Sequence, residues 1–481
     1  MNRHLYTYEL IYKAEQETFK VTDSFEIMKK AALTSYEYII KKFANKKFLI
    51  FCGPGNNGGD GILIAKYLLE KNQSVKISFP ISKPKTTDSI KAFTELNNEK
   101  IIDENPNFDN YDIIIDAIFG TGLKNRINDS LCDLIDKINS SKKIIISIDI
   151  PSGININTGK FQRSALRSNE TITFHRFKPG QWLLPGKEHC GKINLMEIDL
   201  ADLDSECKIQ LNYPENLFEP NLNQHKFNRG SCVIIAGKKL IGASKLAFLS
   251  ASQSVLRSGA GLCSLFVEES QKNIFKPHVL EEMIVTFNNF DELKENILNY
   301  KINSIIYGCG VENEFQNINI LEFLINSKIN LVLDAVVFSM IIENKIHFIK
   351  LLKNREAKTI LTPHEGEFRK VFKITDNKIE DALLASKETN AVIVYKGNDA
   401  VIASPKGDVV INYETSPYLA TAGSGDVLAG IIGGLISQQN DPFKAAKIGC
   451  YIHSQCALKR GTGLIASDLI KLIPEVMKEN K

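Results

Sequence analysis

The residues best able to do chemistry in this chain of 481 residues lie in two glycine-rich segments far apart in sequence. The first is Gly53-Pro-Gly-Asn-Asn-Gly-Gly-Asp-Gly61, which follows the apolar run Lys47–Phe51 and opens a helix expected to begin near Ile62. Glycines at such a turn let backbone amides approach a phosphate, whose charge the helix N-terminus favours. Gly53, Gly55 and Gly58 satisfy a GxGxxG spacing. The next strand-like run, however, ends in Ser78-Phe79-Pro80, without the carboxylate that would hold a ribose, so a nicotinamide dehydrogenase is a poor reading. A purely structural turn is the plain alternative, but it needs one or two glycines rather than five with two Asn and an Asp. Two later strand ends add Asp116, then Asp149 and Ser152. Parallel strands would deliver these, with Asn56, Asn57 and Asp60, to one sheet edge, an oxygen-rich cluster suited to a hard cation beside a phosphate.

The second segment is Ala422-Gly-Ser-Gly-Asp-Val-Leu-Ala-Gly430. Amides of Gly423, Ser424 and Gly425, aimed from a helix N-terminus, make an anion hole for charge developing on a transferred phosphoryl group. Asp426 then stands where it can take a proton from an attacking hydroxyl. Upstream lie Gly242-Ala-Ser-Lys-Leu-Ala247, Ser258-Gly-Ala-Gly-Leu262, Thr362-Pro-His-Glu-Gly-Glu367 and Lys396-Gly-Asn-Asp-Ala400. Alone, His364 reads as an ordinary loop histidine and Lys396 as a solvated strand-end charge. At the end of buried strands they suit ligand and nucleotide phosphate contacts instead. His453, in the helical stretch Ala445–Lys459, reads as core-facing or satisfied.

The elements that must position these residues alternate in type. Strand-length runs at 47–51, 74–79, 111–119 and 142–150 are separated by helical patterns, which argues for a parallel sheet with helices on both faces. After a weakly patterned stretch the alternation restarts, with runs at 231–237, 262–269, 303–308, 329–335, 358–362 and 391–397. We therefore expect two α/β domains, 1–205 and 222–481, consistent with the limit on the size of one core. Lys and Arg total 59 against 56 Asp and Glu, with the signs mixed, so no nucleic-acid footprint is expected. The nine cysteines form no CxxC pair, and no signal peptide or membrane-spanning run is evident. The expectation is a cytoplasmic protein with reduced thiols.

Gly55–Gly61, with Asp116-Ala-Ile-Phe-Gly-Thr-Gly-Leu123, Asp149-Ile-Pro-Ser-Gly153, Thr158-Gly159, Thr171–Phe174, Lys178 and Pro185-Gly186, resembles the NAD(P)HX epimerase domain over about 10–200. The second set of motifs resembles the ribokinase-like superfamily. In its order it is similar to the ADP/ATP-dependent NAD(P)HX dehydratase, over about 225–475. The resemblance implies an N-terminal Rossmann-like αβα sandwich and a C-terminal ribokinase-like α/β domain. For the first half it implies potassium held by Asn57, Asp116 and Ser152. Substrate contacts would come from Asn56, Asn57, Gly58, Gly59 and Asp60, from the loop Gly120, Thr121, Gly122, Leu123, Lys124, Asn125 and Arg126, and from Asp149. For the second half it implies substrate contacts from Ala243, Gly310, His364 and Asp426. Nucleotide contacts would come from Lys396, Gly397, Asn398, Asp399, Ala400 and Gly425, with magnesium on the phosphates of ADP, the expected donor, or ATP.

The implied substrates are NADHX and NADPHX, and the expected assembly is a homo-oligomer with neither nucleic acid nor membrane as partner. Epimerisation breaks and remakes a bond at one ring carbon and needs a carboxylate that moves a proton; Asp149 is the candidate, with a turn or capping role as the alternative. The chain departs from the family pattern at Lys124-Asn125-Arg126, at Gly308-Cys-Gly-Val-Glu312 and at Asp334-Ala335-Val336. Two other readings are a vitamin or sugar kinase with an accessory nucleotide-binding domain, and a scaffold that only binds a nucleotide-like ligand. Three strand-end carboxylates argue against the scaffold.

Overall fold

The computed structural model of the protein describes residues 3–122, 127–213, 222–237, 241–438 and 441–479. The chain divides into two compact units, Met1–Gln210 and Leu211–Lys481.

In the first unit the strands are β1 (Lys47–Cys52), β2 (Ser74–Ser78), β3 (Ile113–Ala117), β4 (Ile144–Ile148), β5 (Glu170–Phe174) and β6 (Lys192–Met196). They form one sheet in the order β2-β1-β3-β4-β5-β6, parallel throughout. The helices are α1 (Tyr8–Thr18), α2 (Ser24–Phe43), α3 (Asn56–Glu70), α4 (Thr87–Leu96) and α5 (Asp129–Ser140). Alternation along β1 explains the layering. Phe48, Ile50 and Cys52 pack with α2 and α3, whereas Leu49 and Phe51 pack with Leu131 and Ile135 of α5.

One expectation is corrected here. Helix α3 begins at Asn56, not near Ile62, so Asn56, Asn57, Gly58, Gly59 and Asp60 form its first turn. Helix propensity argues against glycine there, but close approach decides it: a Cβ on Gly58 would lie 1.8 Å from the Gly53 carbonyl oxygen.

The second sheet has ten strands: β7 (Ile209–Leu211), β8 (Ser231–Ile235), β9 (Leu262–Glu268), β10 (Met283–Phe287), β11 (Ser304–Tyr307), β12 (Asn330–Leu333), β13 (Thr359–Leu361), β14 (Val392–Tyr395), β15 (Ala400–Ala403) and β16 (Val409–Asn412). Their order is β10-β9-β8-β11-β12-β13-β14-β15-β16-β7, parallel from β10 to β14, with β15 antiparallel to β14 and to β16. The helix Ser424–Ser437 is buried along nearly its whole length. It packs tightly on the helix Ile241–Arg257, because a Cβ on Gly430 would come within 2.4 Å of the Ala251 carbonyl oxygen. All nine cysteines are free and buried. Among the described residues no helix is long and apolar enough to cross a membrane.

Candidate active sites

The segments after β1, β3 and β4 meet at one end of the first sheet around a cavity of about 500 Å³. Its polar lining includes Asn56, Asn57, Asp60, Asp149, Lys178 and, from α1, Glu15. Asp116 and Ser152 lie behind this lining. The Asp116 carboxylate is fully buried. Its Oδ1 accepts from Ser152 Oγ (2.6 Å) and Ile118 N–H (3.2 Å), and its Oδ2 from Ser147 Oγ (2.7 Å) and Ser152 N–H (2.8 Å). A carboxylate offers about four lone-pair positions, and here all are used. Burial holds the Asp116 pKa above the ordinary carboxylate value, with these four donors working against it. Asp116 thus fastens the turn after β4 onto β3.

Asp149 sits in the left-handed region at φ 69°. Its Oδ2 accepts from Thr121 N–H at 3.0 Å and its Oδ1 from Lys178 Nζ at 2.7 Å. Lys178 is only 1% exposed and spends its remaining donors on Thr173 Oγ1 (2.7 Å) and the Phe174 carbonyl (3.0 Å). Glu15 and Asp60 differ: neither carboxyl has a hydrogen-bond partner among the described residues. Burial and the charge of Asp149 raise Glu15 to about 7. Burial, Asp149 and Glu15 raise Asp60 well above its ordinary value. Both side-chain amide atoms of Asn57 are buried without a partner among the described residues, a costly arrangement that a ligand would relieve.

In the second unit the segments after β11, β12, β13 and β14 converge on the start of the helix Ser424–Ser437. Gly423 precedes that helix in the left-handed conformation (φ 83°). Among the described residues the N–H groups of Gly423, Gly425 and Asp426 have no backbone partner. The Ser424 N–H donates back to the Thr421 carbonyl at 3.3 Å, so the open donors are not the three expected: Asp426 supplies one in place of Ser424. A Cβ placed on Gly425 would stand 3.7 Å from both Asp334 Oδ2 and Lys396 Nζ, which marks a cradle faced by an ion pair. Lys396 Nζ donates to Asp334 Oδ1 at 2.7 Å and lies 3.8 Å from Glu367. Burial opposes the Lys396 charge, but Asp334 and Glu367 more than offset this, and its pKa rises. Burial and the neighbouring Asp334 raise Asp426 to about 6, and burial raises Glu367 to about 7. Cys309, 1% exposed, directs its thiol toward Asp334 Oδ2 at 3.9 Å.

The remaining expected residues fall variously. His364, with a side chain 60% exposed, caps the helix Glu365–Val371: its Nδ1 accepts from Glu367 N–H, and its own N–H donates to Glu367 Oε2 at 2.9 Å. Asp399 is buried against Lys378, Gly397 and Asn398 lie in the connection from β14 to β15, and Ala400 is the first residue of β15. Gly310 presents its carbonyl to Ser244 Oγ. His453 is buried with Nε2 2.9 Å from the Ser424 carbonyl oxygen, and burial lowers its pKa to about 4. Gly120, Thr121 and Gly122 line the first cavity, whereas Leu123, Lys124, Asn125 and Arg126 lie outside the described residues, as does the side chain of Ala243. Sequence reasoning missed Glu15 and Glu367 as site groups. Glu15 sits on α1 beyond every glycine motif, and the only signal for it was an acid four residues after Ile11 on that helix's buried face.

A family profile described as NAD(P)H-hydrate dehydratase matches residues 232–475, and one described as the YjeF-related protein N-terminus matches residues 24–180. The bifunctional NAD(P)H-hydrate repair enzyme of Dictyoglomus turgidum is 30% identical, covering 94% of each chain. That of Escherichia coli is 28% identical over 95% of this chain and 91% of its own. Among solved structures, the ADP/ATP-dependent NAD(P)H-hydrate dehydratase of Bacillus subtilis, co-crystallised with ATP and magnesium, is 26% identical, covers 56% of this chain and 95% of its own, and aligns with a TM-score of 0.46. Matched in both halves by these profiles, and by a relative at 30% identity over 94% of its length, the chain belongs to the family of bifunctional NAD(P)H-hydrate repair enzymes.

Proposed function

We propose that the first unit interconverts the R and S forms of hydrated NADH and NADPH, and that the second dehydrates the S form using ADP, with ATP as the other phosphoryl donor. The observation that carries this reading is Asp426, a carboxyl held near neutrality, beside open amides and the Asp334–Lys396 pair. Hydroxide leaves poorly, so the ring hydroxyl is first phosphorylated. Asp426 accepts its proton as the oxygen attacks phosphorus, and the amides of Gly423, Gly425 and Asp426 hold the charge that develops on the phosphoryl oxygens. Lys396, fixed by Asp334, adds a positive charge at the same place. Phosphate then leaves as the ring nitrogen's lone pair assists, and loss of a proton from the adjacent carbon restores the double bond.

Magnesium would be carried mainly by the nucleotide phosphates. In the first unit the unpartnered Asn57 amide fits a potassium ligand, with Asp116 and Ser152 behind it. Potassium there would offset carboxylate and phosphate charge. Asn57, Asp116 and Ser152 would hold it. A cytoplasmic homo-oligomer belongs to the same reading, and light scattering checks the assembly.

The test is to incubate the purified chain with both hydrated epimers, with and without ADP or ATP and magnesium, and to follow reduced-nicotinamide absorbance. Full nucleotide-dependent recovery is expected. Recovery of the S form alone removes the epimerase assignment, and no recovery, with a stable phosphorylated product from another acceptor, replaces the dehydratase by a small-molecule kinase.

A further inference from the structure

In the first cavity the expected catalytic residue, Asp149, has both carboxylate oxygens already engaged. Three groups position it: the Lys178 ammonium, the Thr121 amide and, through its backbone carbonyl, the Gln181 side chain at 2.9 Å. Glu15 is the opposite case. It lies four residues from Ile11 on the cavity side of α1, beside Tyr8 and Tyr12, where a helix packed only for stability would carry an apolar residue. Its carboxyl, half-buried at the cavity wall, has no hydrogen-bond partner among the described residues.

We propose that Glu15 is the acid that protonates the departing ring hydroxyl during epimerisation, and that its carboxylate takes a proton back, through water, when the hydroxyl is restored. The proposal rests on the epimerase reading of this unit. Hydration of a reduced nicotinamide places the hydroxyl on the carbon bonded to the ring nitrogen, because that nitrogen's lone pair feeds the double bond that adds water. Glu15 gives its proton to the hydroxyl oxygen as the carbon–oxygen bond breaks. Water departs, and the lone pair forms a carbon–nitrogen double bond. Water then adds from the other face, a new carbon–oxygen bond forms, the electron pair returns to nitrogen, and the surplus proton passes through water to the Glu15 carboxylate left by the first step. One proton is spent and one recovered, so only the configuration at carbon changes.

Asp149, pinned by Lys178, balances the transient ring cation. The charged groups facing Glu15 are Asp60, Asp149 and Lys178, with Asp88 also on the cavity wall. Asp149 opposes ionisation of Glu15 and Lys178 favours it, while burial is the largest influence and keeps Glu15 protonated up to about pH 7.

The experiment uses the full chain as wild type, Glu15→Gln and Glu15→Asp, starting from the pure R form. Appearance of the S form is followed chromatographically, with the rate without enzyme subtracted, across pH 5.5 to 9. ADP-dependent dehydration of the pure S form by the same preparations reports folding of the rest of the chain. Glu15→Gln is expected to lower the epimerisation kcat by about a hundredfold or more, the scale of general acid catalysis, with little change in KM. Wild-type kcat falls above about pH 7, where Glu15 ionises, and Glu15→Gln lacks that limb. If Glu15→Gln unfolds, Glu15→Asp carries the test, with reduced activity and a shifted limb expected. Wild-type kcat with an unchanged alkaline limb in either folded variant overturns the proposal and leaves the epimerase reading standing. A wild-type chain that interconverts nothing overturns both.

Discussion

The two units solve one electrostatic problem in opposite directions. Each places an Asp–Lys pair at 2.7 Å beyond the ends of parallel strands, Asp149 with Lys178 in the first and Asp334 with Lys396 in the second. Each then sets a further carboxyl, Glu15 or Asp426, close enough to feel the paired Asp and buried enough to be lifted toward neutrality. What differs is the surrounding polarity. In the first unit the additional groups are carboxyls and the unpartnered Asn57 amide, a setting that favours cations, including a cationic ring. In the second they are open N–H groups at a helix start, a setting that favours anions. With the roles proposed for Glu15 and Asp426, the same paired Asp and Lys would support a proton donor in one place and a proton acceptor in the other.

The largest expected effect separates the two sites outright. Asp426→Asn should lower nucleotide-dependent dehydration by about a hundredfold or more and leave epimerisation intact; retained dehydration in the purified variant removes Asp426 as the base. Next comes stability. Lys178→Met strands the buried Asp149 and should cost the first unit about 3–5 kcal/mol, whereas Lys396→Met, at a more open pair, should cost the second unit less. Trp182, the chain's single tryptophan, reports the first loss by fluorescence in a denaturant titration, and hydrogen exchange in the helix Ser424–Ser437 reports the second. Equal losses would mean that burial does not distinguish the pairs.

The pH profiles sharpen the contrast further. Asp426 must be ionised to act, so dehydration should fall about tenfold per pH unit below about pH 6, while epimerisation declines at the alkaline end. Parallel profiles would refute the opposite roles. The smallest effect is at His364. His364→Ala removes a helix cap and should cost about 1 kcal/mol, with kcat for dehydration retained and KM for the hydrated substrate raised; an unchanged KM would leave His364 as a cap alone.

Sequence pattern placed much of this architecture. Asp116, Asp149 and Ser152 could be assigned to one sheet edge because they end apolar runs of strand length, and the parallel order of β1, β3 and β4 brings them there. The Gly423–Asp426 turn was legible for a similar reason, since glycine and Asp spacing announces a helix start. Other features depended on tertiary contact. The start of α3 was hidden because glycines that read as loop are helical under close packing. Strands β15 and β16 were missed because β15 begins at Ala400, inside a segment read as a nucleotide-binding loop. Glu15 was invisible because nothing local distinguishes it from any acid on an amphipathic helix. The partners of Lys396 lie 62 and 29 residues away in sequence, a separation that no motif spans.

The glycines of the first loop carry unequal burdens, and this bears on which substrates the pocket admits. Gly53 and Gly58 are locked by backbone contact, but Gly55 has an ordinary extended backbone (φ −94°, ψ −167°), lines the cavity, and has no atom within 4 Å of where a side chain would begin. Its smallness serves the space in front of it rather than the turn. Gly55 is therefore a steric dial: a side chain added there would take up cavity space without repacking the turn behind it.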